Sequence, residues 1–215
     1  MRKDVPEAEN LHVVDGPLGR HKLAVLRDER TRTPEFRQAM KELALIMVAE
    51  AARAMPTSAV HIKTPLAQTE VEEISGPVCL VPVLRAGLGM LEAALALLPE
   101  ATVGFMGLQR DEETNEPVEY YVNLPRDLDE YLVLVLDPML ATGGSLAATL
   151  SKLKEYGARW ISCLHAVAAA PGAERVTNEH PDVNFYAAAV DLELDENAFI
   201  VPGLGDAGDR LYGTL

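Results

Sequence analysis

Cysteine, aromatic residues and basic residues are all scarce in this chain of 215 residues. The two cysteines, Cys79 and Cys163, each lie inside an apolar run, which favours buried reduced thiols over a disulfide or a metal site. Nineteen lysines and arginines stand against 33 aspartates and glutamates, for a formal charge of −14. A nucleic-acid partner is not expected, because no stripe of basic residues is available to neutralise phosphates. A small anionic ligand needs only a few local donors and is compatible with this charge.

Long hydrophobic runs are also missing. Apolar runs such as 93–99 and 131–136 are far too short to span a bilayer, which takes about 20 residues. Polar residues follow Met1-Arg2-Lys3-Asp4 where a signal peptide would have an apolar core, so we expect a cytoplasmic protein without a membrane contact. Hydrophobic residues make up 48% of the sequence, which predicts a single globular domain over 1–215.

The order of apolar patterns predicts strands that alternate with helices. Helical spacing over 34–55 predicts an amphipathic helix that Pro56 ends. Strands are predicted at 78–83, 102–108, 131–136, 160–169 and 183–190, and helices at 88–98, 144–156 and 172–179. This order predicts an α/β fold with a central, mainly parallel sheet flanked by helices on both faces. Ligands bind beyond the carboxyl ends of such strands, which directs attention to the loops after Val83, Leu136 and Val190.

The loop after Leu136 carries residue types suited to a phosphorylated sugar. It reads Asp137-Pro138-Met139-Leu140-Ala141-Thr142-Gly143-Gly144-Ser145. A carboxylate at a strand end can accept hydrogen bonds from vicinal hydroxyls, while hydroxyls and bare amides at a helix start can cradle a phosphate. A helix capped by Thr or Ser after a plain turn explains the residues equally well at this point. No lysine follows the glycines, which excludes the nucleoside triphosphate loop that ends in GK[ST].

This loop resembles the 5-phosphoribosyl 1-diphosphate (PRPP) signature of the type I phosphoribosyltransferases. Most members have a second acidic residue where this chain has Pro138, and the proline resembles the uracil phosphoribosyltransferases. The resemblance implies PRPP binding by all nine loop residues, namely Asp137, Pro138, Met139, Leu140, Ala141, Thr142, Gly143, Gly144 and Ser145. In that assignment Asp137 is catalytic and holds the ribose hydroxyls, and 142–145 hold the 5′-phosphate.

Two further segments resemble the same family. Leu84-Arg85-Ala86-Gly87-Leu88-Gly89-Met90 is similar to its diphosphate-binding loop, although an arginine after a strand is more often a surface charge. The resemblance implies that Arg85 binds the diphosphate of PRPP. The stretch 109–119 has the composition of a solvated acidic connection. The sequence RDEETNEPVEYY nevertheless resembles the family's mobile segment, which makes Arg110 a candidate catalytic and PRPP-binding residue.

The C-terminal segment contains a formal G-x-G-x-x-G at Gly203, Gly205 and Gly208. Only seven residues follow, too few for a dinucleotide-binding unit, and a plain surface turn is the simple alternative. IVPGLGDAGDR resembles the uracil-recognition segment of the family. The residues that this resemblance assigns to uracil are Ile200, Gly205, Asp206 and Ala207, with Asp206 also facing PRPP as a candidate catalytic residue. Residues 190–215 then form a base-binding hood, and 1–33 resemble the family's N-terminal arm.

The family resemblance implies the type I phosphoribosyltransferase fold and the conversion of uracil and PRPP to UMP and diphosphate. It also implies Mg²⁺ bound with PRPP and not by a metal site of the protein, a possible GTP effector, and a homodimer or larger homo-oligomer. Two alternatives remain. A PRPP-sensing regulator of the same fold should show a basic face or a nucleic-acid module, and the sequence has neither. A phosphoribosyltransferase for another nucleobase is disfavoured by Pro138 and by the turn at 202–209. His165 is predicted to be a satisfied core or interface histidine and not a base.

Overall fold

The computed structural model describes residues 6, 8–110 and 117–214, without the side chains of 108–110 and 117–120. Its helices are α1 (Pro17–Arg27), α2 (Thr33–Ala51), α3 (Leu88–Leu97), α4 (Gly144–Glu155), α5 (Ala170–Glu179) and α6 (Ala207–Tyr212). Its strands are β1 (Leu11–Val13), β2 (Thr57–Lys63), β3 (Gln68–Ile74), β4 (Val78–Pro82), β5 (Thr102–Val103), β6 (Phe105–Arg110), β7 (Pro117–Asn123), β8 (Leu132–Leu136), β9 (Met139–Leu140), β10 (Trp160–His165), β11 (Val167–Ala169), β12 (Asn184–Ala187), β13 (Val190–Asp191), β14 (Glu193–Leu194) and β15 (Ile200–Val201). Within these ranges no helix is long and apolar enough to cross a membrane.

A six-stranded sheet in the order β1-β12-β10-β8-β4-β5 organises the fold. Every neighbouring pair in it is parallel. Parallel strands require crossover connections, and these are supplied mainly by the helices. The carboxyl ends of β4 and β8 therefore lie side by side at one edge, where the loops that begin at Val83 and Asp137 meet.

The central strands are apolar on both sides because each side packs against helices. In β8, Leu132, Leu134 and Leu136 face a core built with α2 and α3. Val133 and Val135 point the other way, into a core built with α4 and α5. Successive side chains of a strand alternate in direction, so five consecutive apolar residues are the pattern expected of a strand covered on both faces. The predicted α/β fold is confirmed.

Four smaller sheets surround this frame. A parallel sheet in the order β13-β11-β9 links the predicted PRPP loop to the first residues of the predicted hood. The other three are antiparallel pairs, β14 with β15, β2 with β3 and β6 with β7. The strands β9 and β15 bring two predicted ligand-binding segments towards the same end of the main sheet.

Several sequence-based boundaries were wrong. The predicted strand at 102–108 is divided into β5 and β6, and the predicted strand at 160–169 is interrupted at Ala166 between β10 and β11. The stretch 109–119 is predicted to be a loop, but residues 109–110 belong to β6 and residues 117–119 belong to β7. The two strands pair through backbone hydrogen bonds, which do not depend on the polarity of the side chains. Residues 111–116 of that stretch lie outside the described residues. The segment implied to be an arm contains β1 and α1, and β1 adds an edge strand beside β12.

Candidate active site

The loop after β4 and the loop after β8 are held together by the backbone. Val83 N–H donates to Leu136 O at 2.9 Å, which continues the parallel pairing one residue past β4. Gly87 then folds back so closely that a Cβ at this position would lie 2.2 Å from Leu136 O. Only glycine allows this approach, because any side chain would overlap the carbonyl. The glycine of the predicted diphosphate loop thus fixes that loop against the predicted PRPP loop.

The residues from Asp137 to Ser145 lead into helix α4, whose N-terminus has no side-chain cap in the described part of the chain. The N-cap of α4 is Gly143, with φ of 77°, and no side chain among the described residues caps the helix. A Thr- or Ser-capped helix was the alternative interpretation of this sequence, and the structure does not support it. The side chains of Thr142 and Ser145 are exposed beside the amides of the first turn. An anion placed there would meet hydroxyls, free N–H groups and the positive end of the helix dipole.

Two members of the predicted PRPP loop have buried side chains. Pro138 is buried, and Leu140 is 1% exposed within the core shared with α4. These residues can contribute only backbone groups to a ligand. Their burial anchors the loop, while Asp137 and Thr142 on either side present polar side chains.

Asp137 occupies a poorly hydrated position at the end of β8. Burial raises the pKa of its carboxyl group to about 7, although a hydrogen bond from the backbone of Met139 acts in the opposite direction. The residue is half-buried by accessible surface. A carboxylate in such surroundings gains from hydrogen-bond donors that replace water, and a pair of ribose hydroxyls would supply them.

His165 supports Asp137 from the neighbouring strand. Its Nδ1 donates to Asp137 O at 2.6 Å, since a carbonyl oxygen can only accept. Burial lowers the pKa of His165 to about 4, so the ring is neutral at pH 7. The prediction that His165 is buried in the core is confirmed. The prediction that it is satisfied is wrong, since its Nε2 is buried without a partner in the described structure.

Arg85 connects the diphosphate loop to the C-terminal segment. The peptide bond between Leu84 and Arg85 is cis. The Arg85 side chain is 59% exposed, and its Nη2 lies 3.0 Å from Asp209 Oδ1 in α6. Tyr212 Oη also donates to Arg85 O at 3.2 Å. The guanidinium group is thus exposed but paired with Asp209, and its loop is attached to α6 by two contacts.

The C-terminal segment turns sharply between β15 and α6. Gly203 has φ of 55° and Gly205 has φ of 77°, both in the left-handed region that favours glycine. Asp206 caps α6, and its Oδ1 accepts a hydrogen bond from Asp209 N at 2.9 Å. The turn leaves Gly205 and Asp206 exposed, whereas Ala207 is buried.

A cavity of about 210 Å³ joins these three segments. Its lining residues are Ala86, Met139, Ala141, Ala198, Phe199, Ile200, Gly205, Asp206, Ala207 and Gly208. They come from the loop after β4, from the loop after β8 and from the C-terminal turn. Three glycine-bearing bends that are distant in sequence thus converge on a space the size of a small planar molecule.

Comparisons with known proteins identify the family of this chain. A family model described as uracil phosphoribosyltransferase matches residues 13–214. The chain belongs to the uracil phosphoribosyltransferase family. A uracil phosphoribosyltransferase of Symbiobacterium thermophilum is 51% identical over 203 residues, which span 94% of this chain and 97% of that protein. One of Shouchella clausii is 50% identical over 205 residues, which span 95% and 98%. A solved structure of a protein from Aquifex aeolicus has a TM-score of 0.86 at 36% identity, with 94% and 97% of the two chains covered.

Arg110, the arginine predicted in the mobile segment, is the site residue about which the geometry says least. Arg110 is the last residue of β6, and its side chain is outside the described part of the structure. Residues 111–116, four of which are acidic, are outside it as well. The role of Arg110 at the diphosphate stays a prediction from the family resemblance.

Sequence reasoning missed several residues that line this cavity. Ala86, Ala198, Phe199 and Gly208 line it without having been predicted to bind a ligand. Ala86 and Gly208 lie inside motifs that were recognised, so their neighbours gave a signal. Phe199 is 46% exposed and directly precedes Ile200, but an aromatic residue beside a strand usually indicates core packing. Its place at the cavity depends on the turn 195–199, which no sequence period predicts.

Proposed function

We propose that this protein transfers the phosphoribosyl group of PRPP to N1 of uracil, with UMP and diphosphate as products. The observation that carries the proposal is the convergence of the loops at 84–87, 137–145 and 198–208 on one cavity. Each loop offers hydrogen-bonding or charged groups that suit one part of the substrates: the diphosphate, the phosphorylated ribose or the base. Two relatives that share about half of their residues with this chain are named uracil phosphoribosyltransferase.

PRPP would lie across the two strand-end loops. The 5′-phosphate would sit at the start of α4, between the hydroxyls of Thr142 and Ser145 and the amides of Gly143 and Gly144. Asp137 would accept hydrogen bonds from the 2′ and 3′ hydroxyls of the ribose. Met139 and Ala141 would pass beneath the sugar, since both line the cavity between the loops.

The diphosphate would extend towards Arg85. As the bond from C1′ to the diphosphate lengthens, negative charge grows on the leaving group, and a fixed guanidinium group favours that change. Arg110 would add a second charge when the segment after β6 closes, and closure would also exclude water.

Mg²⁺ would enter with PRPP. No group of three His, Cys, Asp or Glu side chains able to hold a metal ion occurs among the residues that the structure describes. The isolated carboxylates at this site fit an ion whose ligands come chiefly from the diphosphate. When bound, the ion neutralises part of the diphosphate charge.

Uracil would fill the part of the cavity formed by Ile200, Gly205 and Ala207. Backbone amides and carbonyls there can pair with the O4, N3–H and O2 edge, while Asp206 faces the ribose. Cytosine would be rejected because its amino group places a donor where the site also has a donor. None of the described residues that line the cavity is a strong base for N1, so orientation and electrostatics would supply most of the rate acceleration.

The proposal also covers domain organisation, oligomeric state, effector and location. We take residues 1–215 as one phosphoribosyltransferase domain with 190–215 as the base-binding hood. A homodimer or larger homo-oligomer would be consistent with the exposed β2–β3 hairpin. A GTP effector and a cytoplasmic location stay predictions that come from the resemblance and from the sequence.

An assay of diphosphate release tests the proposed reaction. PRPP and Mg²⁺ are supplied with uracil, cytosine, hypoxanthine or orotate, and release is expected with uracil alone. Asp137→Asn and Arg110→Ala should each lower kcat/KM for PRPP by about tenfold to a thousandfold, as expected for groups that contact substrate charge. Asp182→Asn, at an exposed carboxylate bound to Lys154, is the matched control and should behave as wild type. Release with another base and not with uracil would exclude the proposed function.

A further inference from the structure

A buried ion pair lies directly behind the turn proposed to bind uracil. Arg27, the last residue of α1, forms two parallel hydrogen bonds with Asp191, the last residue of β13. Nη1 lies 2.7 Å from Oδ2, and Nη2 lies 2.7 Å from Oδ1. The Asp191 side chain is 8% exposed and that of Arg27 is 24% exposed. A paired, two-pronged contact of this kind is strongly directional.

The pair binds both backbone groups of Gly203. Gly203 N–H donates to Asp191 Oδ2 at 2.9 Å, and Arg27 Nη1 donates to Gly203 O at 2.9 Å. Gly203 is already restricted, because its φ is 55° and a Cβ there would lie 2.0 Å from Ile200 O. The four hydrogen bonds therefore form a closed network that fixes the middle of the turn between Ile200 and Gly205.

A second arginine holds the next residue of the same turn. Arg210 Nη1 donates to Leu204 O at 2.8 Å and also to Leu26 O, and Nη2 donates to Asp28 O at 2.7 Å. Its guanidinium carbon lies 4.3 Å from the centre of the Phe36 ring. The C-terminal end of α1 and the loop that follows it are thus bonded to the turn through Arg27 and Arg210.

Neither Arg27 nor Asp191 lines the cavity, so neither would contact the base. They fix the direction in which the backbone at 200–205 presents its donors and acceptors. Backbone recognition has no side chain that can adjust, so a small rotation of the turn misaligns several hydrogen bonds together. Fixing the turn before the base arrives also lowers the entropy cost of binding.

We propose that Arg27 and Asp191 are positioning residues for the nucleobase, and that the N-terminal helix α1 acts through them as the support of the uracil-binding turn. The proposal rests on the proposed function and deepens it. It assigns a role to the N-terminal segment beyond that of an arm. It also separates the two substrates, since the network touches the base turn and leaves Asp137 and 142–145 without a contact to it among the described bonds.

Steady-state kinetics of Asp191→Asn and Arg27→Lys test this role. Asp191→Asn removes the negative charge and keeps the shape of the side chain. Arg27→Lys keeps the positive charge but loses the planar guanidinium group that makes two parallel hydrogen bonds. We expect the KM for uracil to rise about tenfold or more in both variants, while the KM for PRPP stays within about twofold. Asp191→Glu, which retains a carboxylate for Arg27, should recover part of the loss. Asp182→Asn removes an exposed ion pair of another region and should leave both KM values unchanged.

Hydrogen exchange supplies a readout that does not depend on turnover. The Gly203 amide should exchange at least about tenfold faster in Asp191→Asn, while amides of α4 keep their wild-type rates. Arg27→Lys, the milder change, decides the matter if Asp191→Asn does not fold. Suppose that the wild type uses uracil. If Arg27→Lys then leaves the KM for uracil unchanged, or raises the KM for PRPP as much as the KM for uracil, the positioning role is overturned and the proposed function is not. A wild type that does not use uracil would overturn the proposed function as well.

Discussion

Among single residues, Asp137 is expected to make the stability of the folded protein depend on pH. The unfolded chain ionises this carboxyl near its ordinary pKa of 3.8, whereas burial raises the pKa to about 7 in the folded protein. The folded state binds the proton more tightly, so the stability contributed by the neutral carboxyl is fully present below pH 4. It is lost as the pH rises through 7.

Asp137→Asn should remove this loss of stability. At pH 4 the variant and the wild type should unfold at similar urea concentrations, because both side chains are neutral. At pH 8 the variant should be more stable by about 1–3 kcal/mol, since the wild type must ionise a poorly hydrated group. Urea unfolding at the two pH values measures the difference, and Asp182→Asn should show no gain at pH 8. Parallel stability profiles for Asp137→Asn and the wild type would show that Asp137 is well hydrated in solution.

At the scale of elements, the position of α5 determines where the PRPP loop can lie. Gly172 is in the first turn of α5, and a Cβ there would be 1.9 Å from Ala141 O. Gly172→Ala should move that loop, destabilise the protein by about 1–3 kcal/mol and raise the KM for PRPP more than the KM for uracil. Gly16→Ala is the matched control, because a Cβ at Gly16 would meet nothing within 4 Å. Urea unfolding and kinetics test both variants, and a Gly172→Ala protein with wild-type PRPP kinetics would contradict this packing.

The elements also show which parts of the structure sequence reasoning could reach. Strands β4, β8 and β10 and helix α2 were predictable because burial on both faces, or on one, imposes a regular apolar pattern. The β2–β3 hairpin was not predicted, since it lies away from the core and nothing imposes a period on its side chains. In the candidate site, Asp137 and Arg85 were predicted through motifs. The contact between Arg85 and Asp209, and the place of Phe199, follow from tertiary packing that leaves no local pattern.

At the scale of the whole molecule, the β2–β3 hairpin is the feature that a single copy leaves unexplained. Every residue of the two strands is exposed except Val60 and Val71, which are half-buried. Leu66 at the tip is 96% exposed, and Ile62 is 40% exposed. An isolated two-stranded hairpin is marginally stable in water, so this element is expected to pack against a second copy of the chain.

Light scattering tests this expectation. The wild type should have the mass of a dimer or a larger oligomer, and the double variant Ile62→Glu with Leu66→Glu should shift towards the monomer, since charges would then occupy the apolar contact. Leu18→Glu changes an exposed leucine of α1 and should leave the mass unchanged. A monomeric wild type would contradict the oligomer and would leave the active site as proposed.

The central claim is that three bends, distant along the chain, form one site for a pyrimidine nucleotide. A crystal structure with bound UMP tests it most directly. We predict the 5′-phosphate at the N-terminus of α4, the ribose hydroxyls on Asp137, and the base against Ile200, Gly205 and Ala207 in the cavity at the end of the parallel sheet. UMP bound at any other place, or a base that points away from the C-terminal turn, would contradict this account.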